Sequence, residues 1–297
     1  MPPASRALVG GCRRPTAAVV AAVCLTLLAP AMLQAKPPKR VVALTPFSAN
    51  TMASLGLRPI AVGQAPSGGP SLYHPNLAST RRLPLSHPAG PNLEQLSSLR
   101  TDFVFTTDAW SRGTAGMKRL KIRVGNREPK TVADVPRQTQ RIAKIMGKRS
   151  TGKRLAAAQR RAIAQASKNI KRRPKVLMVL GVGSTTYAFL PNSWGGDVVR
   201  RAGGALITGG LKASTGYARI SDEFVVARNP DVIIAVPHGN PSDIDRIARN
   251  LGKRPGWRST KAARNKRVYV STSNTLLQPI VGVASTITSV RRSYLRN

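Results

Sequence analysis

The sequence predicts an α/β protein made of two lobes that one long helix joins. Short apolar runs rich in β-branched residues alternate with amphipathic stretches in both halves of the chain, a pattern typical of βαβ units and a parallel sheet. Between the halves lies a helical stretch with no acidic residue after Asp134. A chain of 297 residues is long enough for two domains. We assign a first lobe to residues 36–130, a helical segment to 131–173 and a second lobe to 174–297.

The first 35 residues have the pattern of a secretory signal peptide. A basic start with Arg13 and Arg14 leads into an apolar run over residues 16–29, and small residues follow up to Ala35, the predicted cleavage position. The apolar run is short for a membrane span. We therefore expect an exported protein, located in the periplasm or at the outer face of the cytoplasmic membrane.

Cys24 is a candidate for lipid attachment within this segment. Val23 is a poor residue before such a cut and the apolar run continues beyond it, which favours an unmodified cysteine. Cleavage after Ala35 would remove Cys24 and also Cys12, the only other cysteine. The mature protein would then have no disulfide and no cysteine metal site.

The first lobe is predicted to alternate strands and helices. Ser48 is a suitable N-cap, and Gly56 is the residue type favoured just past a helix end. Predicted strands lie at residues 40–44, 59–62, 103–105 and 121–124, with a helix from Ser48 to Gly56 and a Gly-, Pro- and Ser-rich loop over 64–91.

The helical segment and the second lobe follow. The segment should contain the bridging helix, from about Ser150 to Ile170, and its many unpaired cations predict a solvated connector. The second lobe is predicted to hold strands at 176–180, 233–236 and 267–270, a glycine-punctuated loop over 181–187, a helix over 194–202 and a terminal helix over 280–295.

One pattern occurs in both lobes. Glu94 lies eight residues before Asp102, and Glu223 lies eight residues before Asp231. Each aspartate leads directly into a buried apolar run, so both stretches predict a short helix, a turn and a strand. The chain contains only three glutamates, and two of them occupy these matching positions.

These residues carry a resemblance to a known family. The stretches RVVALTPFSANTMASLGL, GPNLEQLSSLRTDFVF, SWGGDVVRRAGG and GYARISDEFVVARNPDVIIAV, in this order, resemble the substrate-binding proteins of ABC importers for iron-siderophores, haem and cobalamin. The resemblance covers most of residues 38–296, and Thr101 stands where the family usually has proline. It implies two Rossmann-like lobes with mainly parallel sheets and a single bridging helix. It also implies a monomeric binding protein rather than an enzyme, with a membrane permease and its ATPase as partners.

The resemblance also implies a role for the two matching glutamates. In this family each lobe carries a surface glutamate that pairs with permease arginines, and Glu94 and Glu223 occupy these positions. Arginine binds carboxylates bidentately, so one carboxylate per lobe would make a two-point contact. The alternative is that each glutamate only favours the start of its helix.

The cargo site is expected where strands end, because open α/β sheets bind ligands beyond the carboxyl ends of their strands. Aromatic side chains are only 4% of the chain, yet several lie on loops that follow predicted strands. The alternative for each is a role in a lobe core. The candidate ligand-binding residues are Phe47, Tyr73, Trp110, Arg112, Tyr187, Trp194, Tyr217, Arg219 and His238.

A ferric siderophore is the first expectation for the cargo, with haem second and cobalamin third. An anionic siderophore would suit the arginines of these loops, Arg81, Arg82, Arg112 and Arg219. Haem would call for an axial ligand such as Tyr73 or His74. A bare metal ion is disfavoured because the only three histidines are not paired at ligand spacing. We expect no resident cofactor.

The charge and the glycine pattern of the chain bear on two other classes of protein. The net charge of +37 is compatible with a protein that binds nucleic acid or anionic envelope polymers, but the cations are spread along the chain and no nucleic-acid-binding motif occurs. The run from Gly181 lacks the third glycine of a dinucleotide fingerprint and the Gly-Lys of a P-loop. We therefore expect neither specific nucleic-acid binding nor catalysis.

Overall fold

The structure of the chain is a computed structural model that describes residues 36–64, 72–239, 241–272 and 274–295. The predictions for the signal peptide and for Cys24 fall outside these residues, as does most of the loop between Gln64 and Tyr73. From Lys36 onward the chain forms one compact unit.

The first half contains a parallel sheet. Its strands are β1 (Val41–Ala43), β2 (Ala61–Gln64), β3 (Arg81–Pro84), β4 (Phe103–Thr106) and β5 (Arg123–Asn126). In the described residues the strand order is β3-β2-β1-β4-β5. Alternate residues of β1 face two different core clusters, so both faces of the sheet are covered. The loop predicted over 64–91 contains β3, and β5 lies two residues later than predicted.

The second half contains a mixed sheet. Its strands are β6 (Lys175–Val182), β7 (Thr185–Phe189), β8 (Ala205–Leu206), β9 (Tyr217–Ile220), β10 (Val232–His238) and β11 (Val268–Val270). Among the described residues the order is β11-β10-β6-β7-β9, and β8 also pairs with β6. The prediction of a loop over residues 181–187 is wrong, because Val182 pairs with Thr185 in an antiparallel hairpin. Gly183 makes the tight turn possible with φ +59, and the threonines that follow favour a strand.

Helices pack against both sheets. They are α1 (Pro46–Ser54), α2 (Leu93–Ser98), α3 (Ser111–Arg119), α4 (Asp134–Ile145), α5 (Arg149–Ala166), α6 (Trp194–Ala202), α7 (Asp222–Arg228), α8 (Ile244–Gly252), α9 (Lys261–Arg264) and α10 (Val283–Val290). A π-helical turn, Arg291–Leu295, continues α10, where one long terminal helix was predicted. No helix in the described part of the chain combines the length and the apolar character that crossing a bilayer requires.

Local capping explains where two helices begin. The bounds predicted for α6 are confirmed, since the Ser193 hydroxyl accepts a hydrogen bond from the Gly196 N–H at 3.2 Å and Gly203 ends the helix with φ +112. Helix α1 starts two residues before the predicted Ser48. Thr45 is its N-cap, because its hydroxyl accepts a hydrogen bond from the Ser48 N–H at 3.2 Å.

The repeated pattern of the sequence is a repeated structural joint. The Asp102 carboxylate accepts hydrogen bonds from the N–H groups of Lys39 and Arg40, at 2.8 and 3.1 Å, just before β1. The Asp231 carboxylate accepts one from the Lys175 N–H at 2.8 Å, at the start of β6. Each aspartate therefore fixes the entry of the neighbouring strand.

Helices α4 and α5 connect the two sheets. Helix α4 packs against α1 in the first half, whereas α5 packs against α4 and also against α10 in the second half. Helix α5 has 18 residues, about 27 Å in length, and it ends at Ala166, four residues before the predicted end. Helix α5 is more than a solvated connector, because the side chains of Ala156 and Ile163 are buried.

We expect the two halves to move little when cargo binds. Bending α5 would break its backbone hydrogen bonds and would also disturb its packing against α4 and α10. Small-angle scattering of the free and the loaded protein should therefore give nearly equal radii of gyration. A large decrease on loading would contradict a rigid bridge.

Candidate cargo site

The carboxyl ends of both sheets open into one cavity. Its volume is about 380 Å³, within the range of small-molecule sites. Leu44 and Thr45 line it just after β1, and Gln64 lines it at the end of β2. From the second half, Leu180 of β6 and His238, the last residue of β10, line the opposite wall. The cavity is therefore a cleft between the two sheets.

Glu128 contributes the carboxyl group of this cavity. The Asn126 side chain accepts a hydrogen bond from the Glu128 N–H at 3.1 Å and so fixes the turn after β5. The Thr45 hydroxyl donates to Glu128 Oε2 at 2.8 Å. Burial raises the pKa of Glu128 to about 8, and the Thr45 hydrogen bond offsets only part of this increase. At neutral pH the group is mainly a protonated acid that can donate a hydrogen bond.

Tyr73 lies on the same wall and is held from two sides. Its hydroxyl donates to the Gly63 carbonyl, and the Arg82 guanidinium lies 4.4 Å from the centre of its ring. Burial raises the pKa of Tyr73 to about 12, although the Arg82 charge lowers it. The phenol is protonated at neutral pH and donates to the Gly63 carbonyl, so a metal would have to displace this proton before it could bind the oxygen.

Two histidines line the cavity from different halves. His87 belongs to the first half and His238 to the second. Burial lowers the pKa of His238, and the charge of His87 lowers it further. A neutral imidazole is the form that binds a metal. In the described part of the chain, no three histidine, cysteine, aspartate or glutamate side chains converge as a bare-metal site would require.

Trp110 presents an unused hydrogen-bond donor. Its indole Nε1 is buried and has no partner among the described residues. Gly90, with φ +86, lies against the indole, and a Cβ at that position would approach Trp110 to 3.1 Å. The absence of a side chain at Gly90 thus leaves room for the ring beside the cavity. A buried donor without a partner is costly, so a ligand acceptor would stabilise it.

The structure brings four of the nine predicted ligand-binding residues to this cavity: Tyr73, Trp110, Tyr217 and His238. Tyr217 packs edge-on against Phe189, with ring centres 5.0 Å apart, and burial raises its pKa.

The other five predicted residues lie elsewhere. Phe47 is fully buried in the core, and Trp194 is 4% exposed with its indole N–H donating to the Thr275 carbonyl at 2.8 Å. Both aromatic rings turn inward because they lie in the first turns of α1 and α6, which pack on the sheets. The remaining three are outside the residues that line the cavity: Arg112, Tyr187 and Arg219.

The cationic and axial-ligand candidates also lie outside the cavity. Arg81 is exposed, Arg82 covers the ring of Tyr73, and no arginine or lysine is among the described lining residues. His74 is not among them either, and its Nδ1 accepts a hydrogen bond from the Asn76 N–H at 3.2 Å.

Sequence reasoning missed Glu128 and His87. The rule of strand ends would have found Glu128 if β5 had been placed two residues later, since Glu128 follows its last residue, Asn126, by two positions. His87 had no comparable signal, because only the tertiary fold brings it to the cavity.

The two matching glutamates are exposed at the carboxyl ends of the sheets. Glu94 lies in the first turn of α2 and Glu223 in the first turn of α7, and neither forms an ion pair within the described residues. The N-caps Asn92 and Ser221 already accept hydrogen bonds from the first N–H groups of these helices. The Ser221 side chain also helps to lower the pKa of Glu223.

Comparison with known proteins gives a family. A model of the family described as periplasmic binding protein matches residues 41–275. The chain is 27% identical over 207 residues to a cobalamin-binding protein of Halobacterium salinarum, an alignment that covers 66% of this chain and 53% of that protein. It is 32% identical over 101 residues to the high-affinity heme uptake system protein IsdE of Staphylococcus aureus, which covers 33% of this chain and 34% of IsdE. The chain thus spans about half or less of the length of these relatives.

Solved structures have the same architecture. An ABC transporter substrate-binding protein from Listeria monocytogenes aligns with a TM-score of 0.75 at 20% identity, covering 88% of this chain and 100% of that one. Staphylococcus aureus IsdE complexed with heme aligns with a TM-score of 0.71 at 19% identity, covering 86% and 99%. The fold and the cleft define a two-lobed binding protein. The chain belongs to the periplasmic binding protein family.

Proposed function

We propose that this protein is the extracytoplasmic substrate-binding component of an ABC importer and that its cargo is a metal-bearing tetrapyrrole. The single observation that carries the proposal is the cleft, which His87 and His238 line from different halves. Family membership and the resemblance to importer proteins support transport rather than catalysis. A permease and its ATPase would be the partners.

The chemistry of the cleft favours a tetrapyrrole over the anionic siderophore expected from the sequence. The described lining has no arginine or lysine to neutralise an anionic chelate enclosed in the cleft, whereas the carboxylates of haem lie at one edge of the macrocycle and can stay in solvent. It offers instead apolar and aromatic walls with a few polar groups, the composition typical of sites for flat organic ligands. A metal held in a macrocycle keeps axial positions open, and a neutral imidazole is a suitable axial ligand. Relatives named for cobalamin and for haem support this class of cargo.

Two further groups would orient the cargo. Glu128, protonated at neutral pH, can donate to a carbonyl or amide oxygen at the rim of the macrocycle. Trp110 lines the same cavity, and its buried Nε1–H has no partner among the described residues. A hydrogen bond from either group to the cargo would contribute roughly 1 kcal/mol to binding.

We expect a titration to identify the cargo directly. Haemin, aquocobalamin and a ferric hydroxamate siderophore would each be added to the purified protein while absorbance and tryptophan fluorescence are recorded. We expect quenching by a tetrapyrrole with sub-micromolar affinity, roughly −8 kcal/mol or better. Trp110→Phe should remove most of the quenching, whereas Trp194→Phe should not, because Trp194 is enclosed in the core.

The histidine variants test the site itself. His238→Gln and His87→Gln should each change the absorption band of the bound chelate, and His74→Gln is the matched control outside the cavity. Tight binding of the siderophore alone would replace the tetrapyrrole with the cargo expected from the sequence. If none of the three chelates binds, the importer function itself is contradicted.

A further inference from the structure

A second cavity, which we name the basic groove, lies at the other end of the second sheet. Its volume is about 860 Å³. It is lined by Pro174, Asp231 and Arg267, which directly precede β6, β10 and β11. These are the amino ends of the strands, whereas the cargo cleft lies at the carboxyl ends. The basic groove is therefore a separate feature with no part in the proposed cargo site.

The charge of this groove is strongly positive. Among its described lining residues six are lysine or arginine, and Asp231 is the one acidic residue. Asp231 is already paired with Lys261 at 3.2 Å. Arg291 has a structural task, since its guanidinium donates to the carbonyls of Ala166 and Ala202 at 2.6 and 2.9 Å and so holds the ends of α5 and α6.

Three adjacent cations have no such task. Lys171, Arg172 and Arg173 are exposed, and none of their charged groups forms a hydrogen bond or an ion pair with a described residue. Consecutive Cα atoms are 3.8 Å apart, so the three side chains start within about 8 Å of one another. Like charges at this spacing repel each other, and a bound anion would relieve the repulsion.

The groove continues into a neighbouring cavity. This cavity of about 630 Å³ shares Ile170 and Arg173 with the groove and adds Arg200 and Arg201. Asp197 also lines this neighbouring cavity and pairs with Arg200 at 3.8 Å and with Arg201 at 3.0 Å, which offsets part of the added positive charge. The two cavities together still have more cations than carboxylates. Such an arrangement suits a chain of charges better than a single ion.

The lining also limits the kind of polyanion. The described lining residues of both cavities include no aromatic residue and no histidine, so bases of a single-stranded nucleic acid would have no stacking surface. None of the large exposed apolar side chains lies there, so the surface offers nothing to insert into a bilayer. In an extended polypeptide, successive carboxylates point to opposite sides, and only every second one would face the groove. Phosphates carry their charge on the polymer backbone and fit the fork of arginine.

We propose that the basic groove binds a linear phosphate polymer that carries no bases. The proposal is independent of the cargo and of the permease. It gives a specific use to part of the high net charge of the chain, +37.

The test uses the full chain and end-labelled inorganic polyphosphate, with binding followed by fluorescence anisotropy at several salt concentrations. The triple variant Lys171→Ser, Arg172→Ser, Arg173→Ser should bind at least about tenfold more weakly, and the slope of log K against log salt should fall by about 2–3. The matched control is Lys153→Gln, Arg160→Gln, Arg161→Gln, which removes the same charge from exposed positions of α5. It should change the affinity less than about threefold if the groove is a site.

Four results would overturn the proposal. Equal loss of affinity in both triple variants would show that the net charge alone attracts the polymer. Equally tight binding of single-stranded DNA, of poly-L-glutamate or of vesicles containing phosphatidylglycerol would contradict the preference for a base-free phosphate chain. If the triple variant fails to fold, the single variants Lys171→Ser and Arg172→Ser carry the same comparison, because their charged groups make no bond with described residues.

Discussion

Glu128→Gln is expected to raise the melting temperature at pH 9 by on the order of 10 °C and to leave it nearly unchanged at pH 5. The folded protein keeps a proton on Glu128 up to about pH 8, whereas the unfolded chain releases it near 4.5. Between these values the folded state binds more protons, so the free energy of unfolding falls as the pH rises and levels off above about 8. A shift of this size corresponds to roughly 3–5 kcal/mol. Glutamine removes the ionisation but keeps an oxygen for the Thr45 hydroxyl.

The comparison needs a control with equal loss of charge. Glu94→Gln is suitable because Glu94 is exposed and makes no ion pair with a described residue. It should follow the wild type at every pH. If Glu128→Gln and the wild type had the same melting temperature at pH 9, the ionised carboxylate of Glu128 would not be destabilised in the cleft. The proposed role of Glu128 as a neutral donor to the cargo would then be contradicted.

Replacement of both matching glutamates is expected to abolish most uptake without affecting cargo binding. If Glu94 and Glu223 pair with permease arginines, truncating either one would cost on the order of 2–5 kcal/mol at the interface. Their exposed positions predict changes of no more than about 0.5 kcal/mol in stability. Uptake, melting temperature and cargo affinity would be measured on Glu94→Ala, Glu223→Ala and the double variant, with the double variant the weakest in uptake.

A role at the helix start makes a different prediction, and the chain offers a control for it. Asp245 is exposed in the first turn of α8, so Asp245→Ala removes a comparable helix-start charge at a position that is not one of the two matching glutamates. If the glutamates act only on their helices, all these variants should lose a little stability and retain uptake. Normal uptake by the double glutamate variant would end the docking hypothesis.

Local signals predicted the elements of the fold well. The predicted bounds of α6 match the structure, with Gly203 just past its end, and the family resemblance is confirmed by the family match. The hairpin at Gly183 was missed because glycine signals a turn without saying whether strands flank it. A two-residue error in β5 was enough to hide Glu128.

The cargo site was harder to predict because it depends on the direction of each side chain. A residue that follows a strand lies near the cleft, but the packing of the next helix decides whether an aromatic ring at that position faces the core or the cavity. Phe47 and Trp194 turn into the core, while Trp110 and Tyr217 line the cavity. His87 and His238 line the cavity from different halves, and sequence spacing contains no record of this arrangement.

The packing of α5 between α4 and α10 has a mechanical consequence. Because α5 is stiff, the two halves already have their bound arrangement before cargo arrives. Capture would therefore involve little rearrangement and could be fast. The same stiffness means that thermal opening does little to let cargo leave. Release would then depend on the proposed permease, which would bind both halves of the protein and move them apart during the ATP cycle of the importer.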